Sequence, residues 1–156
     1  MKVEKDFEEL FRLFNKHKVH YCIIGSYAVA FYARPRYTKD IDILIEADAE
    51  NGRKVVRALE EFGFESLPLS ERDFWVKKKI IQLGYEPVRF DLLTSVEGCS
   101  FDCAWKNKVR GKFGSEKVFF IGLDDLIKLK KKSTRLQDKA DLALLLEARR
   151  AKNRLV

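Results

Sequence analysis

No stretch of this 156-residue sequence stays apolar long enough to cross a membrane. The charged opening MKVEKDFEEL lacks the apolar core of a secretory signal, so a cytoplasmic protein is expected. Cysteine is scarce and odd in number. Cys22, Cys99 and Cys103 cannot all pair, and without an export signal they read as reduced thiols. Cys99 and Cys103 have no second Cys pair, and both histidines, His17 and His20, lie far away in sequence. Two ordinary small residues are therefore a simpler reading of them than a metal site. Repeats, low-complexity tracts and Ser/Gly-rich linkers are also missing, and the length suits one domain, 1–156, with little room for a second.

What is present is an ordinary globular composition, 46% apolar, too rich for a disordered chain. Lys and Arg total 31 against 24 Asp and Glu, a formal charge of +7. That balance favours a polyanionic partner such as RNA. It has a second explanation, because abundant Lys and Glu with few Asn and Gln is also a thermophile composition. Lysine runs at 77–79 and 130–132 read equally well as solvated faces.

Phe7, Leu10, Phe11, Leu13 and Phe14 recur at helical spacing and predict an amphipathic helix over 4–17. The β-branched run 19–24 predicts a strand that ends at Gly25. A short helix from Ser26 should stop before Arg34-Pro35, since proline cannot continue it. A strand over 40–46 and a helix over 49–62, stopped by Gly63, follow. Apolar segments 74–83 and 87–94 predict a hairpin about Gly84. A helix over 101–109, a strand over 118–121 and helices over 123–132 and 137–150 complete the pattern. The expected class is mixed α/β (α+β): a small mixed sheet with helices packed on it, the C-terminal helices included.

The segment DIDILI, 40–45, raises the functional question, because strand interiors rarely carry unpaired carboxylates. Residues two apart in a strand share a side, about 7 Å apart. Ile41, Ile43 and Ile45 therefore line one face, and Asp40 and Asp42 share the other. Like charges so close repel unless a cation lies between them. Carboxylates without nearby His or Cys favour Mg²⁺ or Mn²⁺ over zinc. Asp91 in VRFDLLT supplies a third acid if its strand lies beside 40–46. The plain alternative is that all three sit at strand ends and face water. Gly25-Ser26, between strand and helix, suits close approach of a phosphate to free helix-start N–H groups. Its plain alternative is an N-cap served by Ser26.

Gly25-Ser26, thirteen residues, then Asp40-Ile41-Asp42-Ile43 resembles the signature of the DNA polymerase β-like nucleotidyltransferase superfamily. The closest resemblance is to its small bacterial and archaeal group, which includes AbiEii-like toxins and minimal nucleotidyltransferases. The tail DDLIKLKKKSTRLQDKADLALL looks like that group's closing segment, with Lys130, Arg135, Asp138 and Asp141 at matching spacing. Arg36-x-Thr38-x-Asp40 matches too, and the resemblance spans about 20–146.

The resemblance implies a polymerase β palm-like fold and transfer of NMP from an NTP. It implies two Mg²⁺ or Mn²⁺ ions held by Asp40, Asp42 and Asp91, about 4 Å apart, with Asp91 also able to accept the nucleophile's proton. Gly25, Ser26, Arg36, Thr38 and Lys130 are its implied nucleotide contacts. Lys130 also reads as a solvated lysine, and Arg36 as a loop residue paired with an acid. The expected acceptor is RNA, for instance a tRNA 3′ end, in a toxin-like enzyme that has an antitoxin partner. Lys77 to Lys79 and Lys106 to Lys112 are the expected RNA contacts. Modification of a partner protein (AMPylation) and an inactive nucleotide-binding module are the alternatives. No membrane role is expected.

Overall fold

The computed structural model describes residues 4–35, 40–65, 68–85 and 88–155. Phe7, Leu10, Phe11 and Phe14 follow the i, i+3, i+4, i+7 pattern and are fully buried on helix α1, Lys5–Lys16. Asp6 and Glu8 in its first turn and Lys16 in its last complement the helix dipole. The chain continues through β1 (Tyr21–Ile24), α2 (Gly25–Tyr32), β2 (Asp40–Ile45), α3 (Ala49–Leu59), β3 (Ile80–Tyr85) and β4 (Val88–Leu93). It ends with α4 (Phe101–Lys106), β5 (Val109–Phe113), β6 (Glu116–Phe120), α5 (Leu123–Lys132) and α6 (Leu136–Arg154).

The strands form one six-stranded mixed sheet in the order β3-β4-β2-β1-β6-β5. β2 and β4 pair in parallel, as do β1 and β6, while β1-β2, β3-β4 and β5-β6 are antiparallel. The mixed α/β expectation holds.

The register assigns the two faces. Tyr21, Ile23, Ile41, Ile43 and Phe90 are buried on the face that α1 covers, where the Phe7 ring meets Phe90 at 5.2 Å and Phe113 at 6.1 Å. The period of two then turns Ile24, Asp42 and Asp91 to the opposite face.

Several sequence expectations need correction. Strand β3 begins at Ile80, not 74, because Ser70 and Asp73 form a capping box that starts a 3₁₀ turn over Glu71–Phe74. Gly84 lies inside β3 with φ +85 rather than between strands; a Cβ there would clash with the Val88 carbonyl. The helix over 101–109 ends at Lys106, and Val109 opens β5. β5 was missed because VRGKF shows no clear alternation: of its side chains only Phe113 is buried. Beyond α3 the backbone widens into a π-turn over Glu60–Phe64, with Gly63 at φ +122. Among the described residues, no helix is long and apolar enough to cross a membrane.

Candidate active site

Parallel pairing of β2 with β4 sets Asp42 opposite Asp91 and Asp40 opposite Arg89. Cross-strand partners point to the same side, so the three acids expected from the sequence meet on one face. The Arg89 guanidinium lies among them. Its Nη2 donates to Asp40 Oδ2 at 2.7 Å and to Asp91 Oδ2 at 3.5 Å, and its Nε lies 3.4 Å from Asp91 Oδ1. Asp91 is 8% exposed, and its Oδ1 is buried without a hydrogen bond among the described residues.

The electrostatics follow from this crowding. Burial pushes the Asp42 carboxyl up to about 6, helped by the charges of Asp91 and Asp40 and by a hydrogen bond shared with Asp91. Burial raises Asp91 as well, against the pull of Arg89. A proton shared between Asp42 and Asp91 is the cheapest way to keep two carboxyls this close without a further cation.

Gly25 begins α2 directly after β1 with φ +72, and a Cβ there would collide with Asp42 Oδ2. Glycine is required twice over, for its backbone angle and for the closeness of the acid. The N-cap of α2 is Ile24, so Ser26 occupies the second helical position and is not the cap. Arg36 and Thr38 lie outside the described residues.

Lys130 is buried, not solvated: its Nζ sits 2.7 Å from Asp138 Oδ1 and 3.1 Å from Asp141 Oδ2. Burial alone would raise the Asp138 carboxyl. Hydrogen bonds from Arg135, Lys130 and Ser133 outweigh it and hold the group well below the usual carboxylate range.

A cavity of about 340 Å³ is lined by Gly25, Asp42, Gln82, Asp91, Lys130 and Arg135, among others. A larger hollow of about 610 Å³, lined by His20, Trp105 and Phe119, holds none of these acids, so size alone does not locate the site. Sequence reasoning missed Arg89 and Gln82. Arg89 was within reach, because it stands two residues before Asp91 and so shares its face. Gln82 was not, because only the β3-β4 register sets it opposite Asp91.

The family profile that matches this chain, over residues 6–114, is the one described as Aminoglycoside-2''-adenylyltransferase, and it covers more than half of the sequence. The chain belongs to that adenylyltransferase family. It is a nucleotidyltransferase, as the superfamily resemblance implied.

Two solved structures are similar in fold to this adenylyltransferase-family chain. The lincosamide antibiotic adenylyltransferase LnuA, in a lincomycin-bound crystal structure, aligns with a TM-score of 0.58 at 18% identity. The alignment covers 93% of this chain and 97% of LnuA. An antigenic nucleotidyltransferase-like protein from Paracoccidioides brasiliensis aligns at 0.55 and 11% identity, over 89% of this chain and 71% of its own. Among curated proteins, none matches the sequence.

Proposed function

We propose that this protein transfers a nucleoside monophosphate from an NTP, ATP by preference, to a hydroxyl group of a small acceptor. The observation that carries the reading is the Asp42-Asp91 pair, side by side on parallel strands with Gly25 packed against it.

The donor set fits divalent ions. It consists of carboxylate oxygens only, it includes the buried Asp91 Oδ1 without a hydrogen bond among the described residues, and it crowds Asp42 and Asp91 so that a cation would relieve their repulsion. Asp40, Asp42 and Asp91 would hold such ions, Mg²⁺ or Mn²⁺. Bound there, they would neutralise the triphosphate and lower the pKa of the attacking hydroxyl. Asp91 accepts the hydroxyl proton as the acceptor oxygen bonds to the α-phosphorus and the bond to pyrophosphate breaks. Gly25 lets the phosphates approach the first N–H groups of α2, beside Ser26. Lys130 and Arg135 line the cavity, with their charges shared by Asp138 and Asp141. Arg36 and Thr38 remain proposed nucleotide contacts from the sequence pattern.

The family's description and the lincomycin-bound state of LnuA support a small antibiotic-like acceptor. The 340 Å³ cavity lies in the range of small-molecule sites. An RNA acceptor rests on the toxin-like resemblance and the +7 charge, and the family match adds nothing to it. A toxin role with an antitoxin partner, and modification of a protein, draw no support from the family match.

The test incubates purified protein with Mg²⁺ and each labelled NTP, supplying in turn aminoglycosides, lincosamides, tRNA and no acceptor. Label from ATP on a small acceptor is the expected result. Label on tRNA alone, or on protein alone, would replace this reading.

A further inference from the structure

A second cluster of ligand-type side chains gathers outside the residues that line this cavity. Cys99 pairs with Val96 across a short bridge, Cys103 lies in the first turn of α4, and Asp125 in the first turn of α5. The two sulfurs and one Asp125 carboxylate oxygen all lie within 4.8 Å of one another. Cys103 Sγ stands 3.7 Å from Asp125 Oδ1. A tetrahedral zinc, with Zn–S about 2.3 Å and Zn–O about 2.1 Å, needs S···O of about 3.6 Å and S···S of about 3.8 Å. The trio is thus within about 1 Å of ligand spacing.

The surroundings fit as well. The Asp125 side chain is 2% exposed, and the nearest ammonium, that of Lys128, is 3.9 Å away on a side chain 61% exposed. A carboxylate buried this deeply favours a close cation. Asn107 Nδ2 donates to Asp125 Oδ2 at 3.1 Å and approaches Cys103 Sγ at 3.6 Å, so one amide braces two of the three groups. Cys99 lines a cavity of about 510 Å³ that offers an ion a way in.

We propose that Cys99, Cys103 and Asp125 bind a zinc ion. Two thiolates with one carboxylate select a borderline-soft cation, whereas the all-oxygen set of Asp40, Asp42 and Asp91 selects a hard one. Three protein ligands leave the fourth tetrahedral position to water. Binding releases the two thiol protons to solvent, and no redox partner is involved. The ion would act as a brace. Val96 and Glu97, just before Cys99, line the candidate active-site cavity, and α5 runs from Asp125 to Lys130 on the same wall. This site stands or falls independently of the acceptor and of the nucleotide chemistry.

The test titrates the reduced full-length protein with Co²⁺, a spectroscopic substitute for zinc, in excess Mg²⁺. One equivalent should give an intense thiolate-to-cobalt charge-transfer band that zinc bleaches. The band should vanish in Cys99→Ser and Cys103→Ser, persist in Asp91→Asn, and need about tenfold or more extra cobalt in Asn107→Ala. A folded wild-type protein without the band, or a band that survives both cysteine substitutions, would overturn the site. Alkylation of the wild-type protein gives a readout free of folding effects. Zinc should slow labelling of Cys99 and Cys103 about tenfold or more, and unchanged labelling of both would equally overturn it.

Discussion

Asp42 and Asp91 are register partners on adjacent parallel strands, and their carboxyls share a hydrogen bond. Two acids held this way store repulsion that a divalent ion relieves. Replacing Asp42 with Asn should therefore stabilise the metal-free protein, by about 1–3 kcal/mol at pH 8, while abolishing nucleotidyl transfer. Asp91→Asn should lower kcat by about 10²-fold or more, as expected for loss of a proton acceptor. Denaturant titration and initial rates check both. An Asp42→Asn protein that transfers nucleotide at the wild-type rate would remove Asp42 from the mechanism.

The pH dependence has a definite sign. The folded chain holds the Asp42 proton more tightly than the unfolded chain, whose ordinary value is 3.8. The stability this contributes is fully present below about pH 4 and is lost as pH rises through about 6. A divalent ion binds the deprotonated form, so Mg²⁺ should raise the melting temperature more at pH 8 than at pH 5. Equal shifts at the two pH values would place Mg²⁺ away from this pair.

Gly25→Ala adds a methyl against Asp42 Oδ2 at a backbone angle unfavourable for L residues. The angle alone costs about 1–2 kcal/mol, and the displaced carboxylate should weaken NTP binding about tenfold or more. Calorimetry of NTP binding, read beside thermal melting, separates the two effects. Unchanged NTP affinity would detach Gly25 from the nucleotide site.

Lys130→Met would leave Asp138 and Asp141 buried without their ammonium. Breaking a buried pair on one side costs about 3–5 kcal/mol. Adding Asp138→Asn and Asp141→Asn should recover much of that loss. Urea unfolding of the single and triple variants measures it, and activity of the refolded triple variant shows whether Lys130 also serves the nucleotide.

Removing Arg89 takes away the cation that bridges Asp40 and Asp91. Arg89→Met should make the metal-free protein less stable at pH 8, and its gain in melting temperature on adding Mg²⁺ should exceed that of the wild type. A smaller gain would mean that Arg89 helps to hold the ion rather than standing in for it.

The sequence by itself determined the alternation of Asp40 and Asp42 with isoleucines, the glycine at the β1-α2 junction, α1 with its aromatic stripe and the mixed α/β class. Each is a local consequence of side-chain period or backbone freedom. The tertiary structure decided what no spacing encodes. It set Asp91 beside Asp42 through parallel pairing between strands some fifty residues apart. It buried Lys130 between two aspartates of α6, where a Lys-rich helix suggested a solvated face. It also brought Asp125 to Cys99 and Cys103, turning two cysteines that read as ordinary into a cluster with metal-ligand spacing. Strand register and helix packing are settled by burial of apolar faces across the whole chain, so the neighbours of a charged group appear only when those faces close.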